Sequence, residues 1–226
     1  VHIQEIRQET ADAVSVVFSI PENLKADFNF TAGQYVTLQK EINGETIRRA
    51  YSICSTPASG EIRVAIKKVE KGVFSTYATS DLKVGDAIEI TAPEGRFLLN
   101  PEVHKNYIGF AAGSGITPIL SMLKSVLIKE PTATFTLIYG NKSAADTIFY
   151  KELNQLKETY IDRLKLHYIF SRENVKNNLR GRIDGNVTNY FVKNMYKETS
   201  FDAAYLCGPE EMIKDVSKTL EKNNIA

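Results

Sequence analysis

The sequence has few of the residues that build metal centres or disulfide frameworks. Its 226 residues include two cysteines, Cys54 and Cys207, and three histidines that are scattered along the chain. Two cysteines in a chain of this length do not make the disulfide framework of a secreted protein, and scattered histidines indicate no zinc site. We therefore expect a protein that holds no metal.

Strong net charge and long apolar runs are also missing. The formal net charge is +1, which gives no electrostatic reason to expect a nucleic-acid partner. No run approaches the length of a membrane helix and no signal peptide opens the chain, so we expect a cytoplasmic protein with no membrane partner. The chain opens at Val1 without a methionine, as a fragment of a longer protein would.

Residues 1–97 carry short apolar or alternating runs, separated by turn signals such as Pro21, Asn43-Gly44 and Gly85-Asp86. The predicted strands cover residues 2–7, 13–20, 35–39, 46–53, 62–69 and 87–91, and one helix is expected at 75–82. Six short strands at this spacing are typical of a small all-β barrel. The sequence therefore predicts an N-terminal six-stranded antiparallel β-barrel.

From Tyr107 onward the pattern changes to strands that alternate with helices. Strands are predicted at 107–112, 134–140, 164–170 and 203–207, and helices at 118–129, 145–159, 187–196 and 210–222. This alternation predicts an α/β doubly wound parallel sheet with helices on both faces. Because the segment 98–106 breaks the earlier pattern, we expect two domains, at residues 1–100 and 101–226.

The stretch 107–126 has the pattern of a strand, a glycine turn and a helix. Gly113 and Gly115 form the turn, Thr117 is a suitable N-cap, and Pro118 sits where a helix tolerates proline best. Free N–H groups at a helix N-terminus suit a phosphate, and glycine lets a ligand approach the backbone. Pro118 replaces the third glycine of the usual dinucleotide fingerprint, so an ordinary strand-to-helix connection is the alternative.

Two stretches of the N-terminal domain could also hold an anionic ligand. Arg49 offers a guanidinium fork, Tyr51 a flat ring face and Ser52 a hydroxyl, all at the end of a predicted strand. The alternative is an exposed arginine beside a half-buried tyrosine. Gly72 leads into a helix whose N-terminus could hold a phosphate, and an ordinary helix capped by Ser75 is the alternative there.

Two stretches of the C-terminal domain follow strands, on the side of an open α/β sheet where ligands bind. Arg172, with Arg180 and Arg182 further along, could accommodate the 2′-phosphate of NADP, and a solvated basic loop is the alternative. Glu173 could instead serve the ribose hydroxyl of NAD. Cys207 ends the last predicted strand, and a buried thiol followed by a helix start is the alternative there.

Four motifs stand in one order along the chain: RRAYS, GVFS, GSGITP and CGPEEM. This order resembles the ferredoxin–NADP⁺ reductase superfamily, in which a barrel binds FAD and an α/β domain binds NAD(P)H. The longer segments RRAYSICS, AAGSGITPILSMLKSVL, TLIYGNKS and YLCGPEEM are most similar to the reductase subunits of phenylacetyl-CoA epoxidases, which are multicomponent oxygenases. The resemblance covers nearly the whole chain.

The resemblance implies a role for each motif. Arg49 would neutralise the FAD pyrophosphate, Tyr51 would stack on the isoalloxazine and Ser52 would reach its N5 edge. The other residues expected to hold FAD are Lys67, Val69, Gly72, Val73, Phe74 and Ser75. Those expected to hold NADPH are Gly113, Gly115, Thr117, Pro118, Ser171, Arg172, Arg182, Cys207, Gly208 and Pro209. The residues expected nearest the reacting atoms are Tyr51, Ser52, Thr117 and Cys207.

The resemblance further implies a flavin-dependent reductase that takes a hydride from NADPH, or from NADH, onto FAD. Electrons would then pass singly to an acceptor protein: a ferredoxin, another iron–sulfur protein, a flavodoxin or an oxygenase component, as in phenylacetate degradation. The alternatives are a stand-alone NAD(P)H:flavin reductase, a flavohaemoglobin-type reductase module and a binding module without activity.

Two departures from the family are expected. A plant-type [2Fe–2S] cluster needs four cysteine thiolates, and the two cysteines of this chain do not supply them. The sequence also ends, at Ala226, before the last strand that the family adds to its α/β domain. We therefore expect FAD and a nicotinamide nucleotide, but no iron–sulfur cluster, in this chain.

Overall fold

A computed structural model of the chain describes residues 1–175 and 179–225. The fold divides into two compact units. The first comprises Val1–Asn100 together with Leu120–Ser125, and the second comprises Pro101–Ile119 together with Val126–Ala226.

The first unit contains six antiparallel strands. They are β1 (His2–Thr10), β2 (Ala13–Ser19), β3 (Tyr35–Ile42), β4 (Glu45–Ser52), β5 (Ile62–Lys67) and β6 (Glu89–Ile90). The strands form two three-stranded sheets, with the orders β1-β2-β5 and β4-β3-β6. Isolated bridges between His2 and Ala87 and between Ile53 and Val64 link strands of the two sheets. The predicted antiparallel strands are therefore present, while their pairing does not establish one continuous six-stranded barrel.

The hairpin β3–β4 fixes the position of the RRAYS motif. Asn43 and Gly44 have φ angles of 54° and 81°, as a two-residue turn with left-handed residues requires. The turn sets a register in which Leu38 pairs with Arg49 and Val36 with Tyr51. Buried side chains of the unit, including Val36 and Leu38, form an apolar core against which Tyr51 is partly packed.

One helix of the first unit, α1 (Val73–Ser80), packs on this core through Phe74 and Ala78. These residues share a face because they are four positions apart in a helix. The predicted helix, 75–82, is thus shifted by two residues. The short 3₁₀ helix Glu22–Phe28 was not predicted, since none of its residues is buried and it has no apolar period.

A buried polar network ties together the three strands of the sheet β1-β2-β5. Arg63 on β5 is 5% exposed, and its Nη2 lies 2.7 Å from Glu9 Oε1 on β1. Ser15 on β2 lies between them: its hydroxyl accepts from Arg63 Nε at 3.1 Å and donates to Glu9 Oε1 at 2.6 Å. The arginine charge is thus compensated inside the unit.

The second unit is built on a parallel sheet, as predicted. Its strands are β7 (Asn106–Ala112), β8 (Thr134–Asn141), β9 (Leu164–Phe170) and β10 (Ala203–Cys207), in the order β10-β7-β8-β9. Its helices are α2 (Ile116–Lys129), of which Leu120–Ser125 are grouped with the first unit, α3 (Tyr150–Thr159), α4 (Gly185–Asn189), which runs into a π-helical turn at Tyr190–Met195, and α5 (Glu210–Glu221). None of the helices in the described part of the chain is long and apolar enough to cross a membrane.

The start of α2 differs from the sequence prediction. Gly113–Gly115 form a 3₁₀ turn that runs directly into the helix, and the Ile116 N–H donates to the Gly113 and Ser114 carbonyls. The helix therefore begins at Ile116, and Thr117 lies inside its first turn instead of capping it. The prediction of a Thr117 cap was wrong because the local sequence does not show that the glycine turn is itself helical.

The register of the sheet brings its four strand ends to one side. Cys207 pairs with Ala111, Ala112 with Gly140, and Asn141 with Phe170. Because all four strands are parallel, their carboxyl ends and the residues that follow them lie at the same edge. We call this edge, with residues 112–115, 141–144, 171–173 and 207–209, the carboxyl edge.

Candidate functional site

In the first unit, β4 presents Arg49 and Tyr51 in different environments. Arg49 is exposed, and its Nη1 donates to the Arg48 carbonyl at 2.7 Å. The half-buried ring of Tyr51 lies 5.7 Å from that of Phe74, centroid to centroid. Burial raises the pKa of Tyr51 to about 12 against the opposing charge of Arg49, so the phenol stays neutral at physiological pH. A fixed neutral ring beside an exposed guanidinium suits a flat ligand that carries phosphate.

The glycine turn before α1 is held by Ser75. The Ser75 hydroxyl accepts from the Val69 amide and donates to the Gly72 carbonyl, both at 3.2 Å. Gly72 itself is the N-cap, so the alternative in which Ser75 caps the helix is wrong. A Cβ on Gly72 would lie 2.4 Å from Val69 Cγ2 and 2.5 Å from Ser75 Oγ, so a larger residue there would require the Val69 and Ser75 side chains to shift.

This turn contributes one wall of a cleft in the first unit. The volume of the cleft is about 600 Å³. It is lined by Glu41, Ile42, Asn43, Lys71, Gly72, Val73, Thr76, Tyr77 and Asp81. Of the residues expected to hold FAD, the cleft includes Gly72 and Val73, while Phe74 is buried in the core and the Val69 amide is used within the turn.

In the second unit, the two glycines of the GSGITP motif meet different requirements. Gly113 has a φ of +54°, and a Cβ there would have nothing within 4 Å. A Cβ on Gly115 would lie 2.2 Å from the Cys207 carbonyl oxygen. Gly113 thus gives the backbone its left-handed turn, and Gly115 lets the turn pack directly against the end of β10.

Two side chains fix this turn from inside the unit. Thr117 Oγ1 donates to the Ser114 carbonyl at 3.0 Å. The hydroxyl of the buried Tyr139, on β8, donates to the Gly113 carbonyl at 2.9 Å. The turn is therefore held in place without a ligand.

Cys207, Gly208 and Pro209 follow β10 at the carboxyl edge, where the sequence places them. Burial raises the pKa of the Cys207 thiol, so it is a neutral group and not a thiolate nucleophile. A Cβ on Gly208 would lie 2.7 Å from Met212 Cε. Pro209 is the N-cap of α5. The segment offers a compact, uncharged surface.

The segments that follow β8 and β9 remain hydrogen-bonded to each other. The Ser171 amide donates to the Asn141 carbonyl at 3.0 Å, and the Arg172 amide donates to the Lys142 carbonyl at 2.9 Å. The side chains of Arg172 and Lys142 are both exposed. Two positively charged side chains therefore lie on neighbouring segments of the chain at the carboxyl edge.

Glu173, the residue that left nucleotide preference open, is used within the loop. Its Oε2 accepts a hydrogen bond of 2.7 Å from the Ala144 amide. A carboxylate that receives a backbone N–H is fixed by that contact. It is less available to a ribose hydroxyl than an exposed side chain would be.

The basic residues further along return to the same place. Arg180 makes a parallel bridge to Phe170, and the Gly181 amide donates to the Phe170 carbonyl at 2.9 Å. Arg182 follows this bridge by two residues along the chain, as Arg172 follows Phe170.

Sequence reasoning missed Lys142, Asn141 and Tyr139. A signal was present for Asn141 and Lys142, because they follow the predicted strand 134–140 of a parallel sheet, and residues after the end of such a strand belong to the ligand side. Tyr139 lies inside that strand, where the sequence carries no such signal. Within the described ranges, no cluster of three or more histidine, cysteine or acidic residues could hold a metal.

The fold combines two domain types, and each is matched by a family model. Residues 1–98 match the family model of the oxidoreductase FAD-binding domain, and residues 110–218 match that of the oxidoreductase NAD-binding domain. The chain therefore belongs to the oxidoreductases that combine an FAD-binding and an NAD-binding domain.

Two curated relatives and one solved structure illustrate the likeness. One component of the 1,2-phenylacetyl-CoA epoxidase of Escherichia coli (strain K12) is 38% identical over 97% of this chain and 62% of its own length. The ferredoxin reductase component of 3-ketosteroid-9-alpha-monooxygenase from Rhodococcus rhodochrous is 33% identical over 75% of this chain and 48% of its own. The chain thus spans about half to three-fifths of these relatives.

The solved structure is the flavohem-like FAD/NAD binding domain of nitric oxide dioxygenase from Vibrio cholerae O1 biovar El Tor. It superposes with a TM-score of 0.84 over 100% of this chain and 93% of its own, at 24% sequence identity. At that identity the likeness establishes the fold.

Proposed function

We propose that the chain is the FAD- and NADPH-binding part of an electron-transfer reductase that serves a separate acceptor protein. An oxygenase system of the phenylacetyl-CoA epoxidase kind fits best, because that relative is similar over 97% of the chain. The acceptor would be a ferredoxin, another iron–sulfur protein, a flavodoxin or the oxygenase component. The observation that carries the proposal is the position of the RRAYS and GSGITP motifs, each at the end of a strand.

FAD would lie on the first unit, with the two sheets and their linking bridges acting as a flavin-binding barrel. Arg49 is the exposed cation for the pyrophosphate, and Tyr51 supplies the ring face for the isoalloxazine, with Ser52 beside it. The cleft at Gly72 would take a further part of the molecule. When bound, FAD supplies the chemistry that accepts a hydride and releases electrons one at a time.

NADPH would lie on the carboxyl edge of the second unit. Gly113 would admit the diphosphate to the backbone, Gly115 lets the turn pack against the end of β10, and Thr117 and Pro118 lie in the first turn of the helix beneath it. Cys207, Gly208 and Pro209 would form an uncharged wall for the nicotinamide. Since hydride transfer needs no protein acid or base, a neutral thiol suits that wall, and the chain contributes orientation and exclusion of water.

Two neighbouring cations support a preference for NADPH over NADH. Lys142 and Arg172 are neighbours through the backbone hydrogen bond between them, and we assign Arg182, two residues after the bridge from Arg180 to Phe170, as a third. Arginine binds phosphate oxygens in a fork, and Glu173 is turned to the Ala144 amide. A 2′-phosphate at this position would therefore meet positive charge.

Replacement of Arg49 by alanine tests the FAD site. We expect the affinity for FAD to fall about tenfold or more, because a charge-assisted hydrogen bond contributes roughly 1.5–3 kcal/mol. Titration of the apoprotein with FAD, followed by flavin fluorescence, measures the change. Arg48→Ala is the matched control, since adjacent strand residues point to opposite faces. Equal affinities of the two variants would count against the site.

Replacement of Arg172 by alanine tests the nucleotide preference. We expect the KM for NADPH to rise about tenfold with NADH turnover nearly unchanged, because the lost contact is to a remote phosphate. Steady-state rates with ferricyanide as acceptor give both values. Lys165→Ala removes a charge from the opposite end of β9 and serves as the control. Equal losses with both nucleotides, or a preference of the unmodified protein for NADH, would contradict the proposal.

A further inference from the structure

One polar group at the carboxyl edge is buried without a partner. The side-chain nitrogen Nδ2 of Asn141 has no hydrogen-bond partner among the described residues, although it is shielded from solvent. Buried donors in native proteins are nearly always paired, and an unpaired one carries a desolvation cost. An unpaired donor at a binding edge is therefore a candidate for a contact that a ligand completes.

The register places this donor next to the glycine turn. Ala112 on β7 pairs with Gly140 on β8, so Asn141 lies opposite Gly113, the residue that follows β7. Asn141 and Tyr139 are two residues apart on β8 and therefore point to the same face of the sheet. The Tyr139 hydroxyl reaches the Gly113 carbonyl on that face. The Asn141 side chain thus lies on the face of the sheet to which the turn belongs.

The recorded hydrogen bonds of Asn141 to other strands are made by its backbone carbonyl. The Asn141 carbonyl accepts from the Ser171 amide at 3.0 Å and from the Ser171 hydroxyl at 3.4 Å. These contacts join β8 to β9 and do not involve the carboxamide. The other described buried side-chain atom without a partner, the Tyr168 hydroxyl, belongs to a ring packed between those of Tyr139 and Tyr150, inside the unit. Of the two, Asn141 alone ends a strand at the carboxyl edge.

We propose that Asn141 is a nucleotide-binding residue whose Nδ2 donates to an oxygen of the diphosphate–ribose portion of the bound nicotinamide nucleotide. Because Asn141 lies opposite Gly113 and not beside Arg172, we expect it to contact the portion of the nucleotide that NADPH and NADH share, and not the 2′-phosphate. This role presupposes the proposed function. In this proposal Asn141 contributes to the affinity for both nucleotides, and Arg172 determines the preference between them.

The test is Asn141→Ala in the FAD-loaded protein, with NADP⁺ and NAD⁺ binding measured by calorimetric titration. We expect both affinities to fall about tenfold, the effect of one lost hydrogen bond to a charged or strongly polar acceptor. Asn141→Asp keeps the shape of the side chain but replaces the donor by an anion, so the affinity for both nucleotides should fall further than in Asn141→Ala. Asn194→Ala, an exposed asparagine of the same unit, should change neither affinity.

Thermal unfolding without nucleotide separates binding from folding. Because the free protein gains nothing from an unpaired donor, Asn141→Ala should leave the unfolding midpoint unchanged or raise it. A lower midpoint with a parallel loss of affinity would mean a structural role, and loss of NADP⁺ binding alone would place Asn141 in the 2′-phosphate pocket. Either result overturns the inference, as does unchanged affinity in a protein that binds both nucleotides. If the unmodified protein binds neither nucleotide, the proposed function itself fails.

Discussion

Replacement of Arg63 by alanine is expected to lower the free energy of unfolding of the first unit by about 3–5 kcal/mol, the usual cost of breaking a buried ion pair. The substitution leaves the Glu9 carboxylate, whose side chain is 11% exposed, without its cation. Ser15 keeps a hydrogen bond to that carboxylate but cannot neutralise it. Urea denaturation followed by far-ultraviolet circular dichroism measures the loss.

Two further variants make this expectation specific. Lys214→Ala removes an exposed salt bridge with Glu210 on α5 and should cost less than about 1 kcal/mol. The double variant Glu9→Leu/Arg63→Met removes both charges and should recover much of the stability that Arg63→Ala loses. The account of the network is wrong if Arg63→Ala costs no more than Lys214→Ala.

Replacement of Gly115 by alanine is expected to reduce kcat/KM for NADPH about 100-fold, as misplacement of a site by about 1 Å can. The new methyl group would lie 2.2 Å from the Cys207 carbonyl oxygen, so the glycine turn and the end of β10 must move apart. Both segments belong to the proposed NADPH site. Ferricyanide reduction measures the loss, and the FAD content should be unchanged because the proposed flavin contacts lie in the other unit.

Gly60→Ala is the control, because Gly60 lies in the first unit and outside the proposed cofactor contacts. Gly60 also has a left-handed φ, of +64°, and a methyl group there meets nothing within 4 Å, so its cost is only that of a left-handed alanine, about 1 kcal/mol. Turnover with NADPH should be unchanged. If Gly60→Ala impairs turnover as strongly as Gly115→Ala, then the space at Gly115 is not what the site requires.

The sequence was most informative where apolar runs are long and regular. The predicted strands 164–170 and 203–207 have the bounds found in the structure, Leu164–Phe170 and Ala203–Cys207. The prediction of a parallel sheet is confirmed because buried strands that alternate with helices leave few other arrangements.

Predictions failed where structure depends on contacts between distant residues. Helix α3 begins at Tyr150 instead of 145, after Phe149 adopts a left-handed φ of 61° that no residue preference signals. The predicted helix at 187–196 changes to a π-helical turn at Tyr190. Capping, turn type and helix type are decided by packing, which the local pattern does not contain.

The candidate site divides in the same way. Glycine-rich and arginine motifs could be identified in the sequence, because glycine or arginine directly after a strand indicates a tight turn or an anion-binding residue. The proposed roles of Lys142 and Asn141 follow only from the register of β8 against its neighbours. The pairing of Glu173 with Ala144 joins residues that are 29 positions apart, which one sequence cannot show.

The contact between Glu173 and the Ala144 amide limits how nucleotide choice can change. Its donor is a backbone N–H, so among single substitutions at position 144 only proline removes it. If the protein prefers NADPH, as we propose, a change toward NADH would gain little from Glu173, which this contact already holds. The shorter path would remove cations, first Arg172 and then Lys142, and leave the loop as it is. The proposed preference would then be lost before it could be reversed.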